Sequence, residues 1–96
     1  MANPPNEKNL AEKEMAKKQV ARITDYKKVF ESESGKRVLY DLMGTHFFLR
    51  TSFVKNDPYE TALREGERNV VIRILQRLNM DSARLKEFIE RADKNG

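Results

Sequence analysis

Residues 57–78 read DPYETALREGERNVVIRILQRL, and this stretch sets the fold. Asp57 is placed to cap a helix, because its carboxylate can accept a bond from an orphan N–H of the first turn. Pro58 follows at the first helical position, where its missing N–H loses no bond. Glu60 sits three residues after Asp57, as in a capping box, and its charge suits the positive end of the helix dipole. Leu63, Gly66, Val70, Val71, Ile74, Leu75 and Leu78 recur at three- and four-residue steps. At about 100° per residue they share one face. The stripe is too wide for a two-helix seam, so the helix is expected to touch at least two others. A mid-helix glycine costs roughly 1 kcal/mol against alanine, so a neighbouring helix is expected to approach Gly66 closely.

Glu67 falls inside that stripe, with Glu60 two turns earlier on nearly the same line. One reading is a carboxylate pair for metal binding or acid–base work. The other pairs each carboxylate with an arginine, or lets the first half of the stripe meet solvent. A buried, unpaired carboxylate is too costly to keep, and a second class of ligand is missing, so the second reading is preferred. Arg64 and Arg68 are the natural partners, since Glu60, Arg64 and Arg68 are spaced i,i+4.

The chain has 96 residues, enough for one modest core. Hydrophobic residues make up 39% and charged residues 35%, so the surface is heavily charged. There is no cysteine, which excludes a disulfide frame and a zinc knuckle. No apolar run is long enough for a membrane span, and the first residues carry no secretion signal. The net charge is +4. Residues 34–56 hold four basic groups against one acidic, whereas 57–96 balance at eight and eight. The excess therefore gathers at Lys36, Arg37, Arg50 and Lys55, a mild patch rather than a dense basic stripe.

Met1 to Asn9 reads as disordered. Leu10 to Lys28 favours a helix, with Ala16, Val20, Ile23 and Phe30 as its apolar positions, and Thr24 with Asp25 is a place for a kink or a restart. Residues 1–23 are expected to be a flexible or helical arm, and 24–96 a single helical domain. Ser34 is the expected cap of a second helix, roughly Gly35 to Phe47, with Val38, Leu39, Leu42, Met43 and Phe47 as its stripe. His46 to Val54 is rich in aromatic and β-branched residues but has no second strand to pair with, so it reads as a loop that lays Phe48 and Phe53 into the core. Asp81 or Ser82 caps a last helix whose face is Leu85, Phe88, Ile89 and Ala92, and Asn95 and Gly96 form a fraying end.

No catalytic set emerges. His46 suits a helix end, and the lysine beside Gly35 lacks the spacing of a phosphate loop. The last two helices are joined by a short turn, as in a helix-turn-helix. Glu87 and Glu90 would then face phosphates, which disfavours DNA there. Aromatics interleaved with Arg37, Arg50 and Lys55 suit base stacking, but aromatics in a small chain without tryptophan more often form its core.

A family resemblance rests on ordered elements. They are Asp25-Tyr26-Lys27 with Val29-Phe30, Ser34 to Leu39, Asp41-Leu42, Phe53, Asp57-Pro58, Thr61-Ala62, Arg64 to Arg68, and Val71 to Leu75. In this order they resemble a family of short tailed-bacteriophage proteins, typified by one from a Bordetella podophage. The resemblance covers about Asp25 to Leu78. It implies a phage origin, commonly a gene of virion assembly, and no assigned catalytic residues. The lysine-rich arm before Thr24 departs from the shorter family start.

The expectation is an all-α chain of three main helices with an N-terminal helical arm and a long aromatic-rich loop before the central helix. Its expected role is that of a non-enzymatic phage protein, an interaction or assembly factor for virion components in the host cytoplasm or the virion. Its expected partners are phage structural proteins or a second copy of itself. No cofactor or metal and no membrane is expected. The alternative is a small nucleic-acid- or host-factor-binding protein. Candidate interaction residues are Lys36, Arg37, Arg50, Lys55, Arg64 and Arg68.

Overall fold

The computed structural model describes residues 7–95. Among them are four helices and no strand: α1, Glu7–Phe30; α2, Glu33–Thr45; α3, Pro58–Arg77; and α4, Ser82–Asn95. The expected disorder of residues 1–6 and the end at Gly96 lie outside the described residues, while Glu7, Lys8 and Asn9 belong to α1. Asn95 likewise falls within α4.

α1 runs unbroken through Thr24, whose hydroxyl donates to the Val20 carbonyl at 3.0 Å, a back-bond that helices tolerate. No residue of α1 is fully buried. Ile23, Tyr26 and Phe30 line its inner side, and Tyr26 and Phe30 pack on the core. Val20, expected on that side, is exposed because it lies roughly a quarter-turn away from the line.

The turn into α2 is tight. Ser32, rather than Ser34, caps it: the Gly35 N–H donates to Ser32 Oγ at 3.0 Å, and Ser32 Oγ donates to the Val29 carbonyl at 2.7 Å. One side chain thus ties the end of α1 to the start of α2. Ser34 instead accepts from Arg37 Nη2 at 3.1 Å. Gly35 is buried, and a Cβ there would lie 1.7 Å from the Val29 carbonyl oxygen. The backbone approach that makes this corner therefore requires glycine.

The core is small. Leu39 and Met43 of α2 meet Val71, Ile74 and Leu75 of α3 and the following Leu78. Leu42, Phe48, Met80, Leu85, Phe88 and Ile89 pack around them, half-buried. Val38 faces water, since neighbouring helical residues point about 100° apart and Leu39 points in. Phe53, expected as a core plug, is 66% exposed.

α3 starts as expected. The Glu60 N–H donates to Asp57 Oδ1 at 2.9 Å and Pro58 opens the helix. The reciprocal half of a capping box is not made. The Asp57 N–H donates to the Val54 carbonyl, and the Glu60 side chain turns to Arg64. The stripe is only half right. Val71, Ile74, Leu75 and Leu78 are buried, but Leu63 is 63% and Val70 55% exposed, and nothing lies within 4 Å of a Cβ built on Gly66. The first half of the stripe therefore meets solvent, and among the described residues no helix approaches Gly66.

α3 ends in a Schellman turn. Asn79 takes φ 54°, its N–H donates to Gln76 O at 3.0 Å, and the Met80 N–H donates to Leu75 O at 3.1 Å. Asp81 then caps α4, accepting from the Arg84 N–H at 2.8 Å. α4 lays Leu85, Phe88, Ile89 and Ala92 inward, each half-buried.

Gly35→Ala is expected to lower unfolding stability by about 1–3 kcal/mol or more, as overpacking against backbone does. Gly44, also within α2, has nothing within 4 Å of a built Cβ. Gly44→Ala is therefore expected to leave stability unchanged or raise it by up to about 1 kcal/mol. Urea titrations of the two variants check the pair, and equal effects would contradict the account of the corner.

Candidate functional site

The true inner line of α3 is Arg64, Arg68, Val71, Leu75 and Leu78, spaced by four, three, four and three residues. Its N-terminal half is cationic, so an apolar helix cannot cover it. The segment from His46 to Asp57 covers it instead.

Phe47 begins that cover. α2 ends with the Phe48 N–H donating to Met43 O at 3.2 Å, again a Schellman-type bond, which puts Phe47 where glycine is usual. Phe47 has φ 60°, a left-handed conformation that costs an ordinary residue roughly 1–2 kcal/mol. Its ring is held by cations. The Arg50 guanidinium lies 4.4 Å and that of Arg64 4.8 Å from its centre. Such contacts contribute about 0.5–1 kcal/mol each at exposed sites. Arg68 stands 5.8 Å over the Phe48 ring.

Carboxylates and hydroxyls complete the cover. Glu60 Oε1 pairs with Arg64 Nε at 3.1 Å, and Glu65 pairs with Arg68 at 3.9 Å. The expected Glu60–Arg64–Arg68 ladder is thus made only in its first step. The buried Ser52 donates its hydroxyl to Glu65. Thr61 Oγ1 accepts from the Val54 N–H at 2.9 Å and donates to the Asp57 carbonyl at 2.9 Å, stapling the loop to the first turn of α3.

Lys36 and Arg37 sit elsewhere, on the rim of a cleft of about 870 Å³ between α2 and α4. Its apolar lining comes from Phe30, Leu78, Met80 and Phe88. Its charges are largely paired: Lys36 with Glu33 at 3.5 Å, Arg84 with Glu31 at 3.9 Å, Arg91 with Glu87 at 2.6 Å. Tyr40 donates its hydroxyl to Asp93 and so pins the far end of α4 to α2. That bond, then burial, then the Asp93 charge raise the Tyr40 pKa above its ordinary 10.0. The contact belongs to the neutral phenol. It is complete below the ordinary value and is lost as pH rises through the raised one.

The six candidate cations therefore divide. Arg50, Arg64 and Arg68 gather on the two phenylalanine rings. Lys36 and Arg37 stand at the opposite end of α2, about 14 Å away along nine residues of helix. Lys55 is exposed in the loop. Among the described residues no group of three His, Cys, Asp or Glu side chains is placed to hold a metal ion. His46 closes α2, its N–H donating to Leu42 O at 2.9 Å. The left-handed Phe47 escaped sequence reasoning because phenylalanine carries no turn signal. The arginines at three- and four-residue steps ahead of Val71 were the available clue.

The model of the Bbp19-like phage protein family matches residues 26–90, more than half of the chain. The chain belongs to this phage protein family. No curated protein matches it, and no solved structure matches it. The family match takes in the core, the loop over α3 and most of the α2–α4 cleft, and begins only at Tyr26 of α1. No described helix is long and apolar enough to cross a membrane.

Phe47→Ala and Phe47→Gly both remove the ring and its cation contacts. Only glycine relieves the left-handed backbone, so Phe47→Gly is expected to be the more stable of the two by about 1 kcal/mol. Thermal or urea unfolding of the pair checks this, and an alanine variant as stable as the glycine variant would contradict it.

Proposed function

We propose that this phage protein is a non-enzymatic helical interaction factor that assists assembly of virion components, working in the host cytoplasm or the virion. The observation that carries the reading is α1. Its residues 7–18 are all exposed, whereas Gln19 is tied to the end of α3, its Oε1 accepting from Arg77 at 2.7 Å. Twelve helical residues without a packed face are marginal in water, because helices this short draw their stability from tertiary contact. Lys8, Lys13, Lys17 and Lys18 alternate with Glu7, Glu12 and Glu14, and Leu10 and Met15 stand exposed among them. Such a segment suits docking on a partner with a mixed-charge groove.

The alternative, a small nucleic-acid- or host-factor-binding protein, has less support. Two of the three arginines of the loop site are shared with carboxylates, and the remaining cations are separated from them.

Affinity purification of the tagged chain during infection is expected to recover portal or capsid components. A chain beginning at Gln19 is expected to lose them while keeping the helical signal of its remaining residues. Absence of the full chain from particles and from every assembly intermediate would overturn the proposal.

A further inference from the structure

Tyr59, Leu63, Gly66 and Val70 of α3 form one solvent-facing line. Their steps of four, three and four residues keep them on a single face. Tyr59 is 88%, Leu63 63% and Val70 55% exposed. These are anchors at the spacing by which one helix docks on another. Among the described residues nothing comes within 4 Å of a Cβ on Gly66. A mid-helix glycine is destabilising relative to alanine, and here no internal contact repays it. At a helix–helix crossing the same glycine removes the side chain that would hold two backbones apart.

We propose that this face is a self-association surface, on which α3 of a second copy packs antiparallel with the two-fold axis at Gly66. The face is self-complementary about Gly66, which selects a second copy as its occupant, and an antiparallel pair opposes the two helix dipoles. Tyr59 and Arg73 lie seven residues on either side of Gly66. Rotation about Gly66 therefore brings each Tyr59 ring level with Arg73 of the second copy, a cation–π pair made twice. Arg73 is exposed and has no partner among the described residues. Leu63 and Val70, three and four residues from the axis, meet each other across it.

The pairing uses neither the α1 arm nor the α2–α4 cleft, so it goes beyond the proposed assembly role and leaves both surfaces open for other partners.

Sedimentation equilibrium on the full, purified chain across the micromolar range is expected to give a dimer. Gly66→Leu fills the crossing point with a better helix former, so the variant is expected to keep its helical signal and to dissociate about tenfold or more readily. The chain has no cysteine, which allows a second readout. Gly66→Cys places two sulfurs at the axis, within the short Cα separation a disulfide needs, and mild oxidation is expected to link the copies. Ala83→Cys, on the exposed side of α4, is expected to stay unlinked under the same conditions. A monomeric wild-type chain, a dimer indifferent to Gly66→Leu, or no link through Gly66→Cys would overturn the proposal. Because purified protein alone is used, such a failure leaves partner capture by the arm standing or falling on its own experiment.

Discussion

Leu39 and Met43 of α2 close against Val71, Leu75 and Leu78 at the far end of the central helix, and every other element is placed by that contact. Among the described residues the six buried apolar side chains, four of them fully buried, belong to these two segments. Burying a Leu, Val, Ile or Met side chain stabilises by about 1.5–3 kcal/mol, so the six together contribute roughly 9–18 kcal/mol against a much larger chain-ordering entropy. The pieces around it contribute partial burial: Tyr26 and Phe30 from α1, Phe48 from the loop, Leu85, Phe88 and Ile89 from α4. The buried contact can form only if α1 turns sharply into α2. The backbone of Gly35 against the Val29 carbonyl permits that turn, and Ser32 fastens both helix ends.

The central helix then has two unlike halves. Its last turns are apolar and buried. Its first turns present arginines inward, and an aromatic loop replaces the missing apolar neighbour. The left-handed Phe47 is the cost of ending α2 there, offset by the guanidinium groups over its ring. Ser52 and Thr61 hold the rest of the loop to α3 through Glu65 and Val54. The outcome is a rigid cover whose outer helix face, with Tyr59, Leu63 and Val70, is left without an internal partner.

Much of this was legible in the residues. Asp57-Pro58 marked the helix start, Gly35 and the short turn before Asp81 marked the breaks, and the apolar spacing of Val71 to Leu78 marked the core. Two things were not. Apolar periodicity assigned Leu63, Gly66 and Val70 to the inside, because it gives arginine no credit for burying its stem and stacking its head on a ring. Leu63 and Arg64 are neighbours about 100° apart, so choosing the apolar one turned the first half of the helix outward-in. The cap of α2 was also placed late, at Ser34. Ser32 and Ser34 are equally good caps locally, and the choice was made by packing of Gly35 on α1, which no local pattern records. The loop position of Phe53 failed for a related reason: Phe48 already fills the space beside Met43, leaving Phe53 in water.

The structure accordingly separates a stable centre from surfaces open to solvent. Residues 7–18 of α1, the α2–α4 cleft and the outer face of α3 all lie away from the buried cluster. Native-state hydrogen exchange followed residue by residue tests this division most directly. The slowest amides are expected in two segments, around Leu39 to Thr45 and Val71 to Leu78, with protection in α1 falling away on the N-terminal side of Gln19 at concentrations where the chain is monomeric. Protection as strong over residues 7–18 as over 71–78 in the monomer would contradict a fold held by that one cluster.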